Sequence, residues 1–148
     1  MMRCSDMQAV NTDYRRPLPQ GITFCLRCGE KEEPVFSTVG KWLHPIFDME
    51  RFLSENPCMD GILRVHDSAV GKAAAVLLVY NGIRYIHADL ASSLAVKFIE
   101  SLNLTVPEEK KVIFSYDRLV ERFGCATEGE LENLDDIELM YKLIKRRA

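Results

Sequence analysis

The spacing of apolar positions changes several times along the chain, and each change marks an element. In "ITFCLRCGEKEEPVFSTV" two β-rich runs flank a charged turn from Gly29 to Pro34, the pattern of a hairpin. "HPIFDMERFLSENP" switches to helical spacing. Ile46, Met49 and Leu53 share a face, Pro45 suits the first helical position, and Asn56-Pro57 ends the element. "GILRVHD" (61–67) is a short apolar run that predicts a buried strand. From Ala69 to Tyr80 the chain is apolar on nearly every side, which predicts a helix covered all round and ended by Asn81-Gly82.

"IRYIHAD" (83–89) reads as a further strand, and "SSLAVKFIESLNL" as a helix with one apolar stripe of Leu94, Ala95, Phe98, Ile99 and Leu102. "VPEEKK" is a charged loop, "VIFS" (112–115) a strand, and Tyr116 to Phe123 a short helix. Asp135 and Glu138 form a capping-box-like start to a last helix that turns Ile137, Met140, Tyr141 and Ile144 inward. Residues 1–20 lack periodicity and end in "RRPLPQG"; they are expected to form a flexible extension, leaving 21–148 as a single domain.

Strands joined by helical crossovers predict a parallel portion, and the hairpin adds antiparallel strands. The fold class expected is therefore α/β, a three-layer α/β/α arrangement around a mixed sheet. Two consecutive right-handed crossovers bring the helices starting near Ala69 and Ser92 onto one face. Their N-termini then open side by side at the carboxyl ends of the strands, where ligands bind in open α/β sheets.

Composition narrows the function classes. The chain is 47% apolar and 28% charged with a net charge of −3, which gives no global attraction for nucleic acid or an anionic membrane. The one basic run, Lys142 to Arg147, complements the dipole at a helix end. No stretch approaches the ~20 apolar residues that span a bilayer, and no basic region precedes an apolar run at the start. Five cysteines without a framework pattern suit a reducing compartment, so a cytoplasmic protein is expected.

Candidate chemistry concentrates at the two helix starts. The first carries His66, Asp67, Ser68, Gly71 and Lys72. Asp67 or Ser68 is expected to cap the free N–H groups of the first turn. Gly71 costs a helix up to about 1 kcal/mol relative to Ala, so it implies close approach of another helix or a ligand. Lys72 is expected either to reach solvent or to pair with a carboxylate or anion at the pocket. "VGK" lacks the preceding glycine of a phosphate-binding loop. The second start carries His87, Asp89, Ser92 and Ser93, the serines being natural N-caps. Converging hydroxyls and N–H groups suit a carboxylate, a phosphate or a polar heterocycle.

Cys25 and Cys28 have zinc-ligand spacing, but alternation on a strand points them to opposite faces, so both read as small buried hydrophobes. "FGCATEGE" holds Cys125 and Glu128 in a Gly-bounded turn, and Cys125 near a helix start is the candidate catalytic nucleophile. The histidines His44, His66 and His87 are dispersed, and linear spacing assembles no triad and no metal set. No cofactor is expected.

"DSAVGKAAAVLLVYNGIRYIHADLASSLA" resembles DUF1893, a bacterial family of unknown function that forms a divergent branch of the cytidine-deaminase-like fold. Asp67, Val70, Gly71, Lys72 and Ala73 to Ala75 match its D-x-x-V-G-K-A-A-A segment; Ala88 and Ser92 match a second, with Asp89 and Ser93 replacing glutamates. Cys125 and Glu128 match a later C-P-x-E segment, with Ala126 in place of proline. The resemblance implies the mixed sheet and same-face helices reached above. Catalytic deaminases need a His or Cys followed by Glu at one helix start and P-C-x-x-C at the other. Neither is present here, so zinc deamination is not expected.

These readings favour binding of a small polar or anionic molecule at paired helix N-termini, through Asp67, Ser68, Gly71, Lys72, Ser92, Ser93 and Glu128. A thiol-dependent enzyme or redox sensor using Cys125 is the second reading. A protein-interaction module, docking through the N-terminal extension or the final helix, is the third, and a homo-oligomer is compatible with each.

Overall fold

The hairpin pairs as its pattern predicts. Strands β1 (Phe24–Cys28) and β2 (Phe36–Thr38) run antiparallel, with Cys25 opposite Ser37. These strands belong to a computed structural model that describes residues 14–29, 31–57, 61–124 and 126–147. Helix α1 (His44–Glu55) buries Pro45, Ile46 and Met49, and β3 (Leu63–Val70) pairs antiparallel with β1. Helix α2 (Lys72–Tyr80), β4 (Tyr85–Ser92), α3 (Ser93–Asn103) and β5 (Ile113–Val120) follow as two crossover units. The parallel pairs β3–β4 and β4–β5 complete a mixed sheet of order β2-β1-β3-β4-β5. The chain closes with α4 (Ala126–Leu131) and α5 (Ile137–Arg147).

Helix α2 organises the apolar layer. Its residues from Lys72 to Leu78 are all buried, because α1, α3, α4 and α5 each pack against it while the sheet covers its remaining side. Asn81 caps its carbonyl end, and Gly82 takes the left-handed turn (φ 82°) that lets Ile83 donate back to Leu78. Val65, Ile86 and Ala88 face this layer and join one core with Phe24, Ile46, Met140 and Ile144. The intervening residues Arg64, His66, Tyr85 and His87 point to the opposite face. There the buried Tyr14 lies edge-on against Tyr85 at 6.1 Å. Tyr14, which falls in the stretch read as a loose extension, thus packs onto the sheet.

Three sequence expectations need correction. Strand β3 continues to Val70, because its pairing with β4 runs on to Ala91, so α2 starts at Lys72 with Gly71 as its N-cap instead of near Ala69. Asp67 and Ser68 therefore sit on a strand and cap no helix. Tyr116 to Val120, expected to be helical, continue β5, where Tyr116, Arg118, Leu119 and Val120 pair with β4. The run has apolar residues at helical spacing (Tyr116, Leu119, Val120, Phe123), but the edge of the sheet supplies the stronger interaction. The turn carrying Glu128 is the short helix α4. Among the described residues, no helix is long and apolar enough to cross a membrane.

Candidate functional site

The two helix starts meet as expected, and what fills the space between them is a side chain of the protein itself. Glu128 is buried, and its Oε2 accepts from the Lys72 backbone N–H at 2.7 Å and from the Ser92 hydroxyl at 2.8 Å. Its Oε1 accepts from the Phe123 N–H at 2.8 Å. Ser92 also caps α3 by accepting from the Ala95 N–H at 3.2 Å. One carboxyl group therefore ties together the starts of α2 and α3, where exposed N–H groups and helix dipoles favour an anion. Gly71 is required by this contact: a Cβ there would lie 2.5 Å from Glu128 Oε2 and 2.9 Å from the Phe123 ring.

Beside this clamp, at the carboxyl end of β3, lies a cleft of about 580 Å³. Asp67, Ser68, Gly71 and Glu128 line its inner wall, with Thr23, Leu90 and Phe123 around them and Lys41 and Trp42 at its edge. Asp67 is buried. Its Oδ1 lies 3.5 Å from the Ala69 N–H, and its Oδ2 has no hydrogen-bond partner. Burial pushes its pKa up from 3.8 to about 8, against the pull of the Ala69 and Ser68 N–H groups and with a small push from Asp89. Trp42 is 82% exposed and stands at φ 60°, a left-handed conformation that costs a bulky residue about 1 kcal/mol or more.

The other predicted site residues divide. The Lys72 side chain turns away from the cleft and donates to the Leu134 carbonyl at 2.8 Å and the Glu132 carbonyl at 3.4 Å. Burial lowers its pKa, opposed by Asp135, Glu132 and Glu128. Ser92 is sealed beneath Glu128, and the Ser93 hydroxyl contacts the Val120 carbonyl at 3.4 Å. Cys125 lies outside the described residues. Cys25 and Cys28 are both buried on β1, in line with their reading as small hydrophobes.

Sequence reasoning missed a second group. His66 and His87, far apart in the chain, are register partners on β3 and β4, with ring centroids 4.8 Å apart. His66 Nε2 lies 2.7 Å from Asp89 Oδ1, and His87 contacts Ser115 Oγ through Nδ1 at 2.8 Å and Asp117 Oδ1 through Nε2 at 3.1 Å. Burial and the neighbouring His66 lower the His87 pKa, and Asp117 and Asp89 partly offset this. The available signal was the alternation His87-x-Asp89 on a strand, which puts both side chains on one face. Trp42 and Thr23 were also missed, since only the folded chain brings them to the cleft that Asp67 lines.

Comparison with known proteins adds a family and a fold. No curated protein matches the sequence. A crystal structure of a DUF1893 family protein, TM1506 from Thermotoga maritima, matches with a TM-score of 0.68 at 19% identity, over 100% of this chain and 93% of that one. At that identity the likeness speaks for the fold. The family model for TM1506, a domain of unknown function (DUF1893), matches residues 29–147. The chain belongs to the DUF1893 family.

Proposed function

We propose that this protein, a cytidine-deaminase-like domain without a zinc motif, binds a small polar molecule in the cleft beside Asp67. The observation that carries this reading is the buried Asp67 carboxyl with Oδ2 unpartnered. Native structures rarely leave a buried polar atom without a hydrogen bond, and a ligand edge that pairs an N–H donor with a ring-nitrogen acceptor would meet a carboxyl group that keeps its proton near neutral pH. The volume of about 580 Å³ falls within the range of small-molecule sites. Trp42 and Phe123 offer aromatic surface for a flat ring, and a strained, exposed aromatic at the edge of a cleft is a common element of binding sites.

The ligand favoured here differs from the anion considered from sequence. Glu128 already accepts from the donors at the paired helix starts, so those donors are engaged within the protein, and Lys41 at the edge is the one cationic side chain among the residues lining the cleft. An amino-substituted heterocycle fits better than a phosphate or an acid. Thermal-shift and calorimetric titrations with adenosine and cytidine, against inorganic phosphate and citrate, test this. Saturable binding of a nucleoside is expected, weakened about tenfold or more by Asp67→Ala and also weakened by Trp42→Ala. Binding of the anions alone, or equal nucleoside affinity in Asp67→Ala, would overturn it.

A further inference from the structure

On the opposite face of the sheet from the cleft, parallel register collects donor groups of a different kind. His66 and His87 are paired across β3 and β4, and Asp89 follows two residues after His87 on the same face. One ligand atom from each of these three residues lies within 4.8 Å of the others. Both imidazoles are nearly inaccessible, at 1% and 5% side-chain exposure, while Asp89 is 43% exposed and opens the group to solvent.

We infer that His66, His87 and Asp89 form a binding site for a divalent first-row transition ion. Two imidazoles and one carboxylate are a donor set that suits Zn²⁺, Co²⁺ and their neighbours, with open positions for water or a further ligand. Ligands about 2.0 Å from one tetrahedral ion stand roughly 3.3 Å apart. The 2.7 Å contact from His66 to Asp89 therefore opens slightly on binding, and the wider gap closes by side-chain rotation. Two features permit this movement. His66 Nδ1 has no hydrogen-bond partner, so no second hydrogen bond opposes a turn of that ring. Asp117, at 63% exposure, is free to swing from His87 Nε2 or to join as a fourth ligand.

The surroundings also supply an outer shell. Metal-bound histidines usually engage a polar partner through the second ring nitrogen, which fixes the ring and tunes its basicity. Ser115 Oγ occupies that position on His87, 2.8 Å from Nδ1, whereas Nδ1 of His66 has no such partner. Tyr14 packs against Tyr85 on the same face of the sheet, and the carboxylates of Asp89 and Asp117 stay open to solvent.

Titration of the chelator-stripped full chain with Co²⁺ tests the site. One equivalent should bind with visible d–d bands of a nitrogen and oxygen set and without a thiolate charge-transfer band. Asp89→Asn, a half-exposed change that circular dichroism should show to be folded, is expected to weaken binding about tenfold or more. His87→Gln should abolish it, whereas Asp67→Ala in the cleft should leave it unchanged. Absence of saturable binding, a thiolate band, or equal affinity in Asp89→Asn would overturn the assignment.

Discussion

Glu128 and Asp67 border the same cleft, both buried, yet their surroundings are opposite. Glu128 receives hydrogen bonds from Lys72, Ser92 and Phe123, two of them at the converging helix starts. Asp67 has one long contact to the Ala69 N–H and an oxygen with nothing. A carboxyl group that accepts from several donors holds structure together, and removing it leaves those donors orphaned. One that is buried without partners costs the fold free energy and persists where another role maintains it. Burial alone does not separate the two residues; the count of partners does.

The largest effect expected from this contrast is on pH dependence. Burial holds the Asp67 pKa at about 8, above its usual 3.8. Between those values the folded protein keeps a proton that the unfolded chain has lost. The stability associated with this group is intact below the unfolded pKa and declines as pH rises through the folded one, by up to about 1.4 kcal/mol per pH unit. Other carboxyls contribute slopes of their own, so Asp67→Asn is the reference. Urea unfolding in chelator should show the variant gaining on the native protein from about pH 5 to pH 8. A difference that stays constant across that range would mean Asp67 is solvated, and the comparison with Glu128 would fail.

The next effect tests the clamp. Glu128→Ala removes the acceptor for three donors and should cost about 3 kcal/mol or more. Gly71→Ala should cost about 1–3 kcal/mol by overpacking, since its Cβ meets both Glu128 Oε2 and the Phe123 ring. The two changes should not add. With the carboxyl gone the nearest obstruction, at 2.5 Å, is removed and the Phe123 ring remains, so Gly71→Ala becomes cheaper in the Glu128→Ala background by about 1 kcal/mol. Additive costs in chemical denaturation would show that the glycine serves something other than the approach of Glu128.

The clamp also shows how much the sequence disclosed. Gly71 in a first turn signalled a close approach, and Ser92 before an apolar stripe signalled a cap; both signals are local and both were legible. The unbroken apolar run of α2 announced a helix covered on all sides, and the alternation of strands with helical crossovers announced the parallel pairs. The identity of the approaching group was not legible, because Glu128 lies 56 residues from Lys72 and reaches it through tertiary packing. The pairing of His66 with His87 was hidden for a related reason: register between parallel strands depends on the length of the crossover, not on either strand. Residues 116–120 misled because an edge strand has little burial on either face, so its composition carries no clear period of two.

The smallest effect concerns Lys72, the residue whose charge most invited a ligand role. Its ammonium caps two carbonyls just beyond α4 and borders a separate recess of about 420 Å³. Lys72→Met keeps the stem, the packing and the backbone N–H that Glu128 accepts from. It removes hydrogen bonds that water in the recess can replace, along with the cost of holding a charge in a buried position. Stability should therefore change by about 1 kcal/mol or less, and nucleoside affinity for the cleft should stay within about twofold of native, under 0.5 kcal/mol. A tenfold loss of affinity with stability unchanged would place the ammonium at the bound molecule. Asp67 would then share its role with a cation, and the ligand would have to carry a further acceptor to meet it.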